Sequence, residues 1–465
     1  MQTIRFGTDG WRAIIAKDFT TANVKRVAKA TADWVLKQDN NPSIVVGFDC
    51  RFGGSLFMDT AIQVFCQQGI KVYYDTHFVS TPMISLAAQK LGCSIGVIFT
   101  ASHNPPSYNG YKLKSKAGGP LIQKYISEVE ALIPDTYETE EHSREYWESK
   151  GLLAYEDLET MYAEHAASAF NLEAIANSGL VVTYDAMYGA GQSIAQRLLP
   201  QADFLHCEYN PSFYGQAPEP ITKNLQPLIQ YIKQTKHTDI AIANDGDADR
   251  IGVVDSKGRN IDSHHIILLL IHILHRYKGM NGKVVIAFSV SDKIKKLCAA
   301  YGLEVMVTKI GFKYICEIMT QDDVLVGGEE SGGIAVKGHI PERDGLWNGL
   351  LLVEQLVASG QTLEELIEEV YAIVGKFSYD RDDLHLTEEQ KLRALSRCEQ
   401  GIENIGHLKV SRVENLDGWK FHLEEEETVM VRASGTEPVL RIYGEAGTPE
   451  RVREIIDQMK QTLLS

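Results

Sequence analysis

An α/β architecture spread over several domains is what this sequence predicts, and three observations carry the expectation. A pattern of apolar strand, turn rich in Gly, Ser or Asp, amphipathic helix and second strand recurs three times along the chain. The opening strand of each unit is a continuous apolar run, suited to a sheet covered on both faces. The length of 465 residues exceeds the roughly 250–300 at which a single hydrophobic core stops growing, so about two to four domains are expected.

The first unit is SIVVGFDCRFGGSLFMDTAIQVFCQQGIKVYY, from Ser43 to Tyr74. The second is GLVVTYDAMYGAGQSIAQRLLPQADFLHC, from Gly179 to Cys207, and the third is GKVVIAFSVSDKIKKLCAAYGLEVMV, from Gly282 to Val307. Such units recur in any large α/β protein, so they argue for fold class more than for kinship. The charged stretch from Asp135 to Lys150 reads as a helix or linker, DSKG at Asp255–Gly258 as a turn after a strand, and Gly375–Asp383 as a third seam. Beyond it, charged helices and a strand pair around Val429–Val431 and Val439–Tyr443 suggest a smaller α+β domain. The expected domains are therefore 1–145, 146–257, 258–374 and 375–465.

Charge narrows the partners. Lys and Arg total 46 against 62 Asp and Glu, a net charge of −16 that repels nucleic acid and anionic lipid. An anionic small molecule would need locally clustered Arg and Lys. Seven cysteines form no CxxC pair, which suits free thiols in a reducing compartment. The start MQTIRFGTDGWR has no apolar signal stretch, and the longest apolar run, Ile266–Ile271, is too short to span a bilayer. A cytoplasmic protein with neither nucleic-acid nor membrane partner is expected.

Four motifs carry chemistry. Thr100–Lys112, TASHNPPSYNGYK, follows the strand SIGVIF; its prolines, asparagines and glycine fix an irregular loop that presents Ser102 and His103 at a strand end, where α/β enzymes place ligands. A Pro-stiffened turn is the plainer alternative. Asn244–Arg250, NDGDADR, sets Asp245, Asp247 and Asp249 at alternate positions in a turn between strands, so that three carboxylates can converge on one hard cation. An EF-hand loop would need Gly and Glu where Arg250 and Ser256 stand, and a solvated acidic turn is the weaker alternative. In Gly327–Gly333, GGEESGG, glycines permit close approach while Glu329 and Ser331 offer polar groups to sugar hydroxyls. In Val431–Arg441, VRASGTEPVLR, Arg432, Ser434, Gly435, Thr436 and Arg441 can form a phosphate nest. His264, His265, His272 and His275 lack the HExxH pattern and read as packing or surface residues. YGAGQS at Tyr188–Ser193 reads as a tight turn opening a helix.

Together FGTDGWR (Phe6–Arg12), TASHNPP, NDGDADR, GGEESGG and RASGTEP occur in the order and approximate spacing of the α-D-phosphohexomutase family, and the resemblance spans nearly the whole chain. It implies four domains around a central cleft, three of them related α/β domains with mixed sheets and the fourth a smaller α+β domain. It implies that Ser102 is phosphorylated and that its phosphate oxygen completes a Mg2+ site with Asp245, Asp247 and Asp249. Arg12, His103, Lys112 and Arg250 would surround the transferring phosphate, Glu329 and Ser331 would grip sugar hydroxyls, and Thr8 and Arg343 would also bind substrate. Arg432, Ser434, Gly435, Thr436 and Arg441 would hold the other phosphate.

The implied activity is interconversion of hexose 1-phosphate and hexose 6-phosphate, with hexose 1,6-bisphosphate as intermediate and activator. The sequence departs from relatives at Gly333, where some carry histidine, and at Arg343, where others carry lysine. The general base is therefore sought among Lys112, His103 and His339. Glu330, where phosphoglucosamine mutases usually have Gln, favours glucose or mannose phosphates over glucosamine phosphate. A metal-dependent sugar phosphatase and a non-catalytic sugar-phosphate binder are the remaining alternatives. A monomer or weak oligomer is expected.

Overall fold

The computed structural model describes the chain apart from residues 1, 2, 8, 425, 434–438 and 465. The chain forms two compact units, one comprising Met1–Val285 and Gly311–Ile367, the other Ile286–Ile310 and Glu368–Ser465.

In the first unit the N-terminal sheet runs Trp11–Ile14, Tyr108–Ser115, Ile95–Phe99, Ser43–Phe48, Lys71–Tyr74, Leu153–Tyr155. Tyr108–Ser115 is antiparallel to both its neighbours and the remaining pairs are parallel, so the sheet is mixed. Ile44, Val45 and Val46 are fully buried, as a continuous apolar strand requires when both faces are covered. The helix Thr21–Gln38 starts where the Thr20 hydroxyl accepts from the Asn23 amide, and it buries Val24, Val27, Ala28, Thr31 and Val35 on one stripe. Helix Gly54–Gln67 adds Phe57, Met58, Ala61 and Phe65 to the same core. Side chains alternate along Tyr108–Ser115: Tyr111 and Leu113 enter this core, whereas Lys112 and Lys114 leave on the other face and are nevertheless buried. The stretch expected as a charged helix or linker contains a short helix, Arg144–Ser149, whose Trp147 is buried.

A second mixed sheet runs Asn260–Ile261, Ile251–Asp255, Ile240–Asn244, Val182–Asp185, Asp203–Leu205. Ile240–Asn244 and Ile251–Asp255 pair antiparallel with Asn244 opposite Ile251, so the turn 245–250 is the tip of a hairpin. A third sheet includes Val324–Gly328 antiparallel to Ile334–Val336, and Gly328 opposite Ile334 closes the loop 329–333. Helix Gly345–Ser359 follows, its first turn capped by Asp344, which accepts from the Trp347 amide at 3.0 Å.

In the second unit an antiparallel sheet runs Ser378–His385, Val439–Ala446, Thr428–Ala433, Trp419–His422, Arg412–Glu414. Helix Pro449–Leu464 buries Val452, Ile455, Ile456, Met459 and Leu463 against its neighbours. The segment Ile286–Ile310 belongs here, although it lies within the stretch 258–374 read from the sequence as the third domain. Phe288 packs with Met430 and Tyr443, Tyr379 donates to the Ser289 carbonyl at 2.6 Å, and the Ile310 amide donates to Asp417 at 2.9 Å. Three α/β regions with mixed sheets followed by a C-terminal region are thus the observed fold class, and no described helix is long and apolar enough to cross a membrane.

One fully buried ion pair ties the first sheet to the segment preceding helix Gly345–Ser359: Lys114 Nζ lies 2.7 Å from Glu342 Oε2, and Ser85 donates to the same oxygen at 3.0 Å. Glu342→Ala leaves the Lys114 ammonium, among the described carboxylates, with Asp9 alone at 3.8 Å. It is expected to cost about 3–5 kcal/mol in urea unfolding, since breaking one side of a buried pair strands the other charge. Replacing both residues, Lys114→Met with Glu342→Leu, is expected to recover most of that loss.

Candidate active site

The loop bearing Ser102 is held from within. Arg51, on the turn after strand Ser43–Phe48, is 1% exposed and spends its guanidinium on loop carbonyls: Ser102 at 2.5 Å, Asn104 at 2.7 Å, Pro105 at 2.9 Å and Tyr108 at 3.0 Å. Asp49 stands behind it, 3.3 Å from Arg51 Nε, and accepts from the Thr100 hydroxyl at 2.5 Å. Thr100 Oγ1 in turn accepts from the Ser102 amide at 2.9 Å. Burial pushes the Asp49 carboxyl up to about 6 despite Arg51. Ser102 itself has φ +51°, a left-handed backbone rare outside glycine and the sort of strain that concentrates at functional sites.

The hairpin tip 245–250 meets this loop at van der Waals distance. A Cβ at Gly246 would lie 2.5 Å from the Ser102 carbonyl oxygen, which explains the glycine between the first two aspartates. Asp245, Asp247 and Asp249 are all fully buried, and one oxygen from each lies within 4.8 Å of the others. Ser102 Oγ donates to Asp245 Oδ2 at 2.6 Å. Thr81, at the start of helix Thr81–Lys90, donates to Asp247 Oδ2 at 2.5 Å, and Lys112 Nζ donates to the same oxygen at 2.7 Å. Lys112 also lies 3.2 Å from Asp249 Oδ2, from which Arg343 Nη2 is 2.7 Å.

The protonation states follow from this packing. Burial and the carboxylates of Asp249 and Asp247 push Asp245 well above the usual range. Asp247 goes the other way: burial raises it, but Lys112 and the Thr81 hydroxyl outweigh burial and hold it low. Lys112 loses to burial but gains more from Asp247, Asp249 and Asp9, so its ammonium is held above the ordinary lysine value. His103, whose Nδ1 is 3.3 Å from Ser102 Oγ, is pushed well down by burial and by Arg250, Arg12, Lys112 and Arg51, and is neutral at pH 7.

The donor set fits a divalent cation. Among the described residues, Asp247 Oδ1 and Asp249 Oδ1 are buried with no hydrogen-bond partner, while Asp245 Oδ2 shares its edge with the Ser102 hydroxyl. Hard carboxylate oxygens in this arrangement could bind a metal, which would satisfy both orphaned atoms.

The loop 329–333 is bonded to the same hairpin. The Ile251 amide donates to the Gly332 carbonyl at 3.1 Å, and Glu329 Oε2 lies 4.0 Å from Arg343 Nη1. Glu329 is 6% exposed, accepts from the Gly311 amide at 2.9 Å, and is raised by burial. Ser331 sits half-buried in the same loop. Arg12 donates to Asn104 Oδ1 at 2.6 Å, and Arg250 Nε is 4.0 Å from Asp245 Oδ2. The first unit thus gathers Ser102, His103, Lys112, the three aspartates, Arg12, Arg250, Glu329, Ser331 and Arg343. His339 stands apart from this set. Its Nδ1 is 3.1 Å from His165 Nε2, its Nε2 is 2.9 Å from Asp344, and its ring stacks on Trp347 at 3.8 Å, so neither nitrogen is available to a substrate.

In the second unit Arg432 and Arg441 lie directly opposite each other on antiparallel strands. Asp417 is 3.2 Å from Arg432 Nε and Asp383 is 3.8 Å from Arg441 Nε, which is buried without a hydrogen-bond partner among the described residues. Like charges in direct register cost stability, and an anion between them would relieve it. Thr8, Ser434, Gly435 and Thr436 lie outside the described residues.

Arg51, Asp49, Thr81 and Asp9 were missed by sequence reasoning. DCR directly after the strand SIVVGF was the available signal, because ligands gather at the carboxyl ends of such strands. Thr81 offered only a helix start, and Asp9 only its place inside FGTDGWR.

Asp247→Asn removes one charged oxygen donor from the triad. Mg2+ or Mn2+ binding by calorimetry is expected to weaken by at least the roughly 10- to 100-fold that loss of a mere supporting partner costs. Unchanged affinity would remove Asp247 from the cation site.

Comparison with known proteins bears on the fold as a whole. Models of the phosphoglucomutase/phosphomannomutase α/β/α domains I, II and III match residues 3–140, 160–258 and 262–374, and that of the C-terminal domain matches 383–462. A phosphoglucomutase/phosphomannomutase of Thermococcus kodakarensis is 29% identical, with 97% of this chain and 96% of the relative covered. A phosphoglucosamine mutase of Carboxydothermus hydrogenoformans is 28% identical with 98% of each covered. The solved structure of a candidate phosphomannomutase from Thermus thermophilus superimposes with a TM-score of 0.87 at 34% identity, covering 100% of both chains. With four successive domain models matched and the fold shared over its full length, the chain belongs to the phosphoglucomutase/phosphomannomutase family.

Proposed function

We propose that this protein is a phosphohexomutase that interconverts hexose 1-phosphate and hexose 6-phosphate, of glucose or mannose, through phosphoserine at Ser102 and a hexose 1,6-bisphosphate. The observation that carries the reading is Ser102 Oγ, 2.6 Å from a carboxylate of the buried aspartate triad and 3.3 Å from a neutral imidazole. Asp245, Asp247 and Asp249 would hold Mg2+, which when bound supplies positive charge to the oxygens of the transferring phosphoryl group.

The remaining steps belong to side chains. The substrate hydroxyl attacks the phosphorus of phosphorylated Ser102; a new P–O bond forms and the P–Oγ bond breaks. His103 Nδ1 takes the hydroxyl proton and returns it to the departing Oγ. Lys112 is unsuited to that role because three carboxylates keep it protonated; with Arg12 and Arg250 it spreads the charge on the equatorial oxygens. After the bisphosphate reorients, Ser102 Oγ attacks the second phosphate and His103 passes the serine proton to the freed sugar oxygen, which restores phosphoserine. Glu329 and Ser331 would grip sugar hydroxyls, with Arg343 beside them. Arg432 and Arg441, together with Ser434, Gly435 and Thr436, would bind the phosphate that is not transferring. Added hexose 1,6-bisphosphate would phosphorylate an empty Ser102 by the same route.

Phosphoglucosamine mutase is the second reading, favoured by the name of the Carboxydothermus relative; Glu330 in GGEESGG argues for the neutral hexoses. A coupled assay of glucose, mannose and glucosamine 1-phosphates, with glucose 1,6-bisphosphate present, is expected to give a kcat/KM for glucose or mannose phosphate at least about tenfold above that for glucosamine phosphate, a margin one or two polar contacts can supply. The reverse order would establish the second reading. Ser102→Ala is expected to lower turnover by more than about a thousandfold with the fold retained, because only the nucleophile is removed. Intact-mass analysis should show a phosphorylated fraction in wild type and none in the variant. Normal turnover by the variant would sink the covalent route.

A further inference from the structure

Asp9 has no part in the scheme above, yet it closes a ring of alternating charge around the triad. Asp9 Oδ2 is 2.8 Å from Lys112 Nζ; Lys112 Nζ is 3.2 Å from Asp249 Oδ2; Asp249 Oδ2 is 2.7 Å from Arg343 Nη2; and Arg343 Nη2 pairs back to Asp9 Oδ2. Asp9 is little exposed, with 12% of its side chain accessible, and its other oxygen lies 3.8 Å from Lys114. Arg343 is fixed by further groups as well: its Nε is 3.7 Å from Glu342 and its guanidinium lies 5.1 Å from the Phe312 ring centroid.

The consequence concerns which oxygens remain for a cation. Lys112 and Arg343 both reach the Oδ2 atoms of the triad, while the Oδ1 atoms of Asp247 and Asp249 have no hydrogen-bond partner among the described residues. Two cations converging on Asp249 Oδ2 repel each other; Asp247 offsets Lys112 and Glu342 lies 3.7 Å from Arg343 Nε, but a carboxylate touching both cations at once holds the pair together away from the Oδ1 edge. Asp9 is that carboxylate, with one oxygen in contact with both cations.

We propose that Asp9 is a positioning residue that draws Lys112 and Arg343 onto itself and so keeps the Oδ1 edge of Asp247 and Asp249 open to a divalent cation. The inference rests on the metal reading of the triad given above. It separates Asp9 from a bare negative charge in the neighbourhood, because Asp9 acts through the lysine and arginine it holds.

The test is Mn2+ binding to the full-length protein, followed by electron paramagnetic resonance of the free ion. Asp9→Asn is expected to raise the Mn2+ Kd about 10- to 100-fold, the usual cost of removing a group that orients metal ligands. In a Lys112→Met background, where the main competing cation is gone, the same Asp9→Asn change is expected to raise the Kd less than about threefold, since coupling vanishes when the partner is absent. Wild-type affinity in Asp9→Asn overturns the inference alone. An equal loss in both backgrounds also overturns it, because Asp9 would then act as a charge at a distance. Absence of saturable Mn2+ binding in wild type overturns both the inference and the metal reading beneath it. Asp9→Ser, smaller and neutral, carries the same expectations should the Asn variant fail to fold.

Discussion

Three carboxylates buried side by side at 245, 247 and 249 repel one another in a medium that cannot screen them, and the rest of the first unit is organised around that repulsion. Lys112 arrives from a strand of the N-terminal sheet and Arg343 from the segment before helix Gly345–Ser359. Thr81 arrives from the start of another helix. Each is fixed by its own element, so compensation of the triad requires three separate parts of the chain to dock correctly. That dependence explains the close glycine contacts. A Cβ at Gly345 would sit 2.1 Å from the Arg250 carbonyl oxygen, so the helix that begins just after Arg343 can approach the hairpin only without a side chain there.

The serine loop obeys a different constraint. An irregular loop leaves backbone carbonyls without secondary-structure partners, and burying them unpaired is costly. Arg51 meets that need, with four of its hydrogen bonds going to carbonyls between Ser102 and Tyr108. The loop is thereby rigid enough to keep Ser102 at φ +51°, with its hydroxyl aimed at Asp245. In the proposed reaction a serine held this way would need little reorganisation to reach a reacting phosphorus, which is how positioning lowers a barrier in phosphoryl transfer.

What was legible in the sequence and what was not divides along the same lines. Ser102 and the three aspartates announced themselves because their local spacing is itself the chemistry: a stiffened loop after a strand, and alternate carboxylates in a hairpin tip. The strand–helix–strand units were legible because burial on both faces writes a continuous apolar run. Asp9, Arg51, Thr81 and Glu342 were not, since each acts on a residue far away in sequence, and no local pattern encodes a partner 166 positions off, as for Thr81 and Asp247. The reading of Lys112 as a possible base shows the same limit. A lysine on an alternating strand looks free until the fold surrounds it with Asp9, Asp247 and Asp249. His339 looked free as well, until His165, Asp344 and Trp347 closed around it.

The second unit poses the converse problem at one point, where two arginines stand in direct register. Arg432 and Arg441 face each other across adjacent strands, with Asp417 beside the first and Asp383 beside the second. Each aspartate compensates its own arginine and leaves the repulsion between the two guanidiniums largely in place. Arg441 Nε, buried without a hydrogen-bond acceptor among the described residues, adds a desolvation cost to that repulsion. In the proposed function the pair would serve as a preorganised cradle for a phosphate dianion. Binding energy at such a cradle comes partly from strain that folding has already stored. The same logic governs the aspartate triad in the opposite sign, where in the proposed function a divalent cation would meet the buried carboxylate oxygens as a phosphate would meet the arginines.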